Sequence, residues 1–158
     1  MVKRLLFVCL GNICRSPAAE AVFLHLINSK GLAKDFEVDS AGTGGWHVGR
    51  PADSRMLMAA NRRGIEIRSL ARRIDVEDFR EFDLILTMDQ DNYDAVQALS
   101  KKAGTASTAT IKPILSYLSK GELLEVPDPY YGGEDGFEKV LDLLEDACKE
   151  LIVELSSS

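Results

Sequence analysis

The chain has 158 residues, 46% of them apolar and 28% charged, which is the length of one domain with apolar matter for a substantial core. A formal net charge of −6 leaves no basic excess and argues against general nucleic-acid binding, and no stretch approaches membrane-spanning length. Three cysteines make no disulfide framework and fit a reducing, cytoplasmic setting.

The opening Met1-Val2-Lys3-Arg4 imitates a signal peptide only faintly, because the apolar run that follows ends by Gly11-Asn12 without a cleavage site. That run, Leu5 to Val8, is too short for a helix and predicts a strand buried on both faces. It breaks at Gly11-Asn12, residues that tolerate unusual backbone angles. Ser16 suits an N-cap and Pro17 a first helical position, so a helix is expected to start there. A strand, a tight loop and a helix N-terminus aim backbone N–H groups at one point, where an anion can sit.

Cys9 and Arg15 frame this loop in the pattern C-x-x-x-x-x-R. A guanidinium offers a planar fork matched to two oxygens of a phosphate-like anion. A cysteine beside cationic groups and a helix N-terminus can lose its proton near neutrality. Cys9 is therefore expected to be the nucleophile, with Arg15 binding the equatorial oxygens and stabilising the transition state.

Further along, the helix after Pro17 places Ala19, Val22, Phe23, Leu26 and Ile27 on one face and closes near Lys30-Gly31, with His25 given no ligand role. Phe36 to Asp39 predicts a second strand, ending in Ser40-Ala41-Gly42-Thr43. The glycine-rich Gly44–Gly49 loop carries the only tryptophan, and Trp46 is expected to wall a pocket. A helix from Ser54 to Arg63 should stop at Gly64. The five arginines between Arg62 and Arg73 read as a solvated face, with a patch for an acidic partner as the alternative. Asp83–Met88 predicts a third strand and Asp89–Lys102 a helix. Gly104 to Thr110 reads as a loop, and Ile111–Leu115 as a fourth strand, at an edge because Pro113 cannot donate to a ladder. A last helix, Glu134 to about Leu155, buries Phe137, Val140, Leu141, Leu144, Cys148 and Leu151, so Cys148 is core filling.

Alternating strands and helices imply an α/β sandwich with a mainly parallel sheet and ligands beyond the C-terminal strand ends. A leaving oxygen there needs an acid, and Asp128, stiffened between Pro127 and Pro129, can supply it. Tyr130 and Tyr131 beside it, with Trp46, could flank a phenyl ring.

These stretches, Val8 to Pro17, Asp39 to Thr43 with the Trp46 loop, and Asp128 to Tyr131, together resemble the low-molecular-weight protein tyrosine phosphatases across essentially the whole chain, 1–158 as a single domain. The resemblance implies a three-layer sandwich: a four-stranded parallel sheet in the order 2-1-3-4 with helices on both faces. It implies hydrolysis of phosphotyrosyl or aryl phosphate monoesters through a cysteinyl-phosphate on Cys9, with Arg15 as clamp. Ser16 would donate to the thiolate, and Asp128 would act as acid and then as base. Leu10, Gly11, Asn12, Ile13 and Cys14 would wrap the phosphate, and Asn12 would hold the loop strained with Ser40 as its partner. Cys14 would form a reversible disulfide with Cys9. Trp46 and Tyr130 would border the cleft, which takes a phosphotyrosine-containing protein or a small aryl phosphate. Neither metal nor organic cofactor, nucleic acid nor membrane is implied, and oligomeric state is left open.

Two rival readings share the loop. Thioredoxin-coupled arsenate reductases need further cysteines after the third strand, and Thr87–Tyr93 has none, which leaves arsenate reduction open as a side activity through Cys9, Cys14 or an external thiol. A non-enzymatic module that binds oxyanions or senses redox state through Cys9 and Cys14 would gain nothing from the acid Asp128.

Overall fold

The computed structural model describes residues 2–104, 107–118, 125–130 and 133–156. Four strands, β1 (Lys3–Cys9), β2 (Phe36–Gly42), β3 (Leu84–Thr87) and β4 (Thr110–Pro113), form one sheet in the order β2-β1-β3-β4. Every pairing is parallel. The helices are α1 (Arg15–Ser29), α2 (Ser54–Asn61), α3 (Asp78–Glu81), α4 (Gln90–Ala103) and α5 (Glu134–Ser156). This is the expected 2-1-3-4 sandwich.

Side chains of β1 alternate between two cores, as period-2 geometry requires. Leu5 and Phe7 pack with α1, α2 and α5, alongside Phe23, Met56, Phe137 and Leu141. Leu6 and Val8 face the other way, toward Phe79 of α3 and Val96 of α4. Both faces are buried, which is why β1 carries a continuous apolar run rather than an alternating one. Cys148 is fully buried in α5, and burial, followed by Glu145, pushes its thiol pKa up. Among the described residues, no helix is long and apolar enough to cross a membrane.

Several boundaries differ from the sequence expectation for identifiable reasons. β2 continues through Ser40–Gly42 because Phe7, Val8 and Cys9 extend the ladder alongside it. α2 stops at Asn61, and Gly64 turns the chain with φ +74°. β4 ends at Pro113, and Ile114–Tyr117 is a 3-10 turn that folds Ile114 and Leu115 into the core. The edge position of β4 agrees with its proline.

Most of the expected arginine-rich surface is tied down. Arg63 meets Glu138, Asp142 and Glu145 of α5, and Arg62 shares Glu138. Arg72 binds Asp39 and Asp78, and Arg68 binds Glu66. Among the described residues, Arg73 alone of the five stays outside such pairs.

Candidate active site

The site forms where β1 ends. Cys9 is the last residue of β1 and Arg15 the first of α1, so Leu10–Cys14 must turn the chain over within one short loop. Asn12 makes that turn at φ +56°, the one left-handed non-glycine residue among those described. Such a conformation costs of order 1–3 kcal/mol. Its side chain offsets this with hydrogen bonds worth about 0.5–1.5 kcal/mol each: Nδ2 donates to Ser16 Oγ (2.7 Å) and Ser40 Oγ (3.0 Å), and Oδ1 accepts from the Arg72 N–H (2.9 Å). Gly11 has no unusual φ. Its missing side chain matters for space, since a Cβ there would lie 3.0 Å from the His47 ring.

Ser16 does not cap the helix as expected. α1 starts one residue earlier, at Arg15, and no side chain caps it. The Ser16 hydroxyl is buried 3.0 Å from Cys9 Sγ. Because Asn12 donates into Ser16 Oγ, the hydroxyl hydrogen can point at the sulfur. The Asn12 N–H also approaches that sulfur, at 3.3 Å. The uncapped N–H groups at the start of α1 remain for an anion.

Arg15 has a side chain only 3% exposed, and its Nη1 is fixed by Asp89 Oδ2 (2.6 Å) and the Val126 carbonyl (3.0 Å). Nη2 lies 3.5 Å from Asp128 Oδ2, a loose contact, and Nε has no acceptor among the described residues. The Nε–Nη2 edge is thus left for two oxygens of a ligand. Burial opposes the guanidinium charge, but Cys9, Asp89 and Asp128 together raise its pKa. Asp89 also caps α4 by accepting from the Asn92 N–H.

Asp128 stands across the loop with Oδ1 accepting from the Tyr130 N–H (3.1 Å). Arg55, itself paired with Asp53, donates to the Tyr130 carbonyl (3.0 Å) and lies over the Tyr130 and Phe137 rings. Asp53 in turn anchors the Leu10–Cys14 loop, its N–H donating to the Ile13 carbonyl.

A cavity of about 480 Å³ is lined by Cys9, Leu10, Gly11, Ile13, Cys14, Arg15, Trp46, His47, Asp128 and Tyr130. Trp46 is 70% exposed and its ring lies on Gly44, where any Cβ would come within 1.9 Å of it. The Asn12 side chain and Ser40 sit behind the loop rather than in the cavity. Tyr131 lies outside the described residues. Cys9, Cys14 and Cys148 are all free cysteines, none in a disulfide. Burial, with Asp53, Cys9 and Asp128, pushes the Cys14 pKa up, so Cys14 stays protonated.

Sequence reading did not find Asp89, the Val126 carbonyl, Arg55, Arg72, His47 or Glu20, whose carboxylate accepts from Ser40 (2.6 Å). Asp89 had one visible signal, its position as an N-cap directly after β3.

A family profile described as "Low molecular weight phosphotyrosine protein phosphatase" matches residues 4–158. The low molecular weight protein-tyrosine-phosphatase YfkJ of Bacillus subtilis is 43% identical over 151 residues, covering 95% of this chain and 94% of that one. The crystal structure of a protein tyrosine phosphatase from Entamoeba histolytica superposes with a TM-score of 0.92 at 44% identity, over 98% of this chain and 97% of that one. A Drosophila arginine phosphatase structure reaches a TM-score of 0.93 at 32% identity, over 98% of both chains.

Proposed function

From the premise that this chain belongs to the low molecular weight phosphotyrosine protein phosphatases, we propose that Cys9, Arg15, Ser16 and Asp128 carry its phosphatase chemistry. The enzyme is a protein tyrosine phosphatase. One observation supports the residue assignment above the others: a single cavity holds Cys9, Arg15 and Asp128, from the two ends of the sequence.

In this reading Cys9 Sγ attacks phosphorus, and the S–P bond forms as the P–O bond to the tyrosyl oxygen breaks. The loop N–H groups and the Nε–Nη2 edge of Arg15 hold the equatorial oxygens, where charge is stabilised as it shifts. Asp128 gives its proton to the leaving oxygen, then takes one from the water that attacks the cysteinyl-phosphate. Ser16 donates to the sulfur and eases its departure as thiolate. Cys14, kept as a thiol, leaves the nucleophilic role to Cys9; that both line one cavity supports Cys14 as the thiol that condenses with an oxidised Cys9.

Because the Drosophila arginine phosphatase shares the fold, substrate class rests on the walls of the cavity and not on the scaffold. Trp46 and Tyr130 favour a phenyl ring, as in a phosphotyrosyl protein or a small aryl phosphate. The low cysteine count fits a cytoplasmic setting, and the profile match supports one catalytic domain over 4–158.

The test is rapid mixing with an aryl phosphate in the presence of a chelator. The native chain should release a burst of phenol before steady turnover, and Cys9→Ser should release none while still binding phosphate. Turnover by the Cys9→Ser variant at the native rate would remove Cys9 from the nucleophile role.

A further inference from the structure

On the other side of the Trp46 loop lies a second cavity, about 430 Å³ in volume, between the segment after Arg72 and the exposed face of α4. Val76 and Leu99 give it an apolar floor, with Val76 37% exposed. Arg73 and Lys102 stand on its rim, and neither forms an ion pair or side-chain hydrogen bond with any described residue. Asp75 is the one acidic side chain in the lining, so the rim is net positive on a protein whose formal charge is −6.

This groove and the active site share a wall. Thr43 lines the groove, and its N–H donates to the Cys9 carbonyl (2.9 Å), while the next N–H, of Gly44, donates to the Leu10 carbonyl (2.9 Å). Trp46 rests on Gly44 on the active-site side, and the Arg73 side chain lies against Gly45, 3.6 Å from where a Cβ would be. An extended chain advances ~3.3–3.6 Å per residue. A polypeptide leaving the catalytic cavity over the two glycines therefore needs only a few residues to reach the groove.

We propose that this groove is an exosite for the polypeptide that flanks the phosphotyrosine, taking an apolar side chain on its floor and an acidic neighbour against Arg73 and Lys102. The proposal rests on the phosphatase reading and extends it, because it makes the substrate a protein segment and not a free aryl phosphate. Apolar burial supplies the attraction, and the unpartnered cations supply selectivity and faster encounter at low salt.

The experiment measures kcat/KM for p-nitrophenyl phosphate and for phosphotyrosyl peptides in which Leu and Glu are stepped through the four positions on either side. The parent should favour peptides with Leu and Glu on one side by about tenfold or more over Gly-Ser flanks. Ala98→Trp, an exposed lining position, fills the groove and should erase that preference through KM, leaving p-nitrophenyl phosphate hydrolysis within about twofold. The double variant Arg73→Glu with Lys102→Glu should turn the Glu preference into one for Lys. A parent without flank preference, or a preference that survives both variants, overturns the exosite. Loss of the phosphatase reading itself would look different, as a parent that fails to hydrolyse p-nitrophenyl phosphate.

Discussion

Replacing Asp89 by Asn tests how far the buried guanidinium depends on a partner that is not itself part of the loop. The substitution keeps an N-cap on α4, since Asn can accept from the Asn92 N–H as Asp does, so what it removes is charge at 2.6 Å from Arg15 Nη1. Breaking a buried ion pair by deleting one partner costs about 3–5 kcal/mol. Here Asp89 is 22% exposed, and Arg15 keeps the Val126 carbonyl and the loose Asp128 contact, which lowers the expectation to about 2–3 kcal/mol. Urea unfolding without phosphate should show that loss, and saturating phosphate should narrow the gap, because the bound dianion supplies the missing charge. A shift of the guanidinium by about 1 Å can cost roughly 100-fold in rate, so kcat/KM should fall by about 10–100-fold. Asp89→Ala should lose about a further 1 kcal/mol through the helix cap. Equal stability of the parent and Asp89→Asn in the absence of phosphate would refute the reasoning, as would a gap that phosphate leaves untouched.

Asp128→Ala should depress kcat/KM for aryl phosphates with poor leaving groups by about 10²–10⁴-fold and for those with good ones far less, read as a steeper dependence of kcat/KM on phenol pKa. Arg55→Ala should steepen the same plot by a smaller amount, because Arg55 holds Tyr130 and Tyr130 holds Asp128; an unchanged slope would place Arg55 outside the acid's support. Glu20 has its pKa raised, by burial first, against the hydrogen bond from Ser40. A raised carboxyl favours the fold most when protonated, so its contribution is full at low pH and lost as pH climbs through its folded pKa. Glu20→Gln should therefore gain stability relative to the parent as pH rises from about 4 toward 7, followed by thermal unfolding at each pH, and a difference independent of pH would contradict this.

The loop was legible because its parts are contiguous: strand, Cys9, Asn12, Arg15 and helix occupy one stretch, and local rules for strands and helix starts reach that far. Asp128 could be read from its flanking prolines. Asp89, Arg72 and Arg55 could not, since a helix cap, a charge in an arginine-rich run and a helix-surface cation look the same in sequence whether they face water or a buried partner. Arg72 illustrates this: it reads as solvated, yet its N–H closes the Asn12 turn while its guanidinium spans Asp39 and Asp78. Ser16 failed the other way. Its type suits a cap, but the bond from Asn12 and the nearby sulfur hold its hydroxyl inside the loop.

The span of contacts around Arg15 has a consequence for how the enzyme comes into being. The strand bearing Cys9 is made before its neighbours β2 and β3 and lies between them in the sheet, and the carbonyl that fixes Arg15 belongs to Val126. Parallel pairings of this separation close large loops and form slowly compared with local helical contacts. During synthesis, Cys9 and Arg15 thus exist for most of the chain's length without Asp89, Val126 or Asp128 to hold them. A nascent chain arrested before Val126 should expose a cysteine open to alkylation and have no phosphatase activity, which makes catalytic competence a late event in folding, gained only when the far end of the sequence docks.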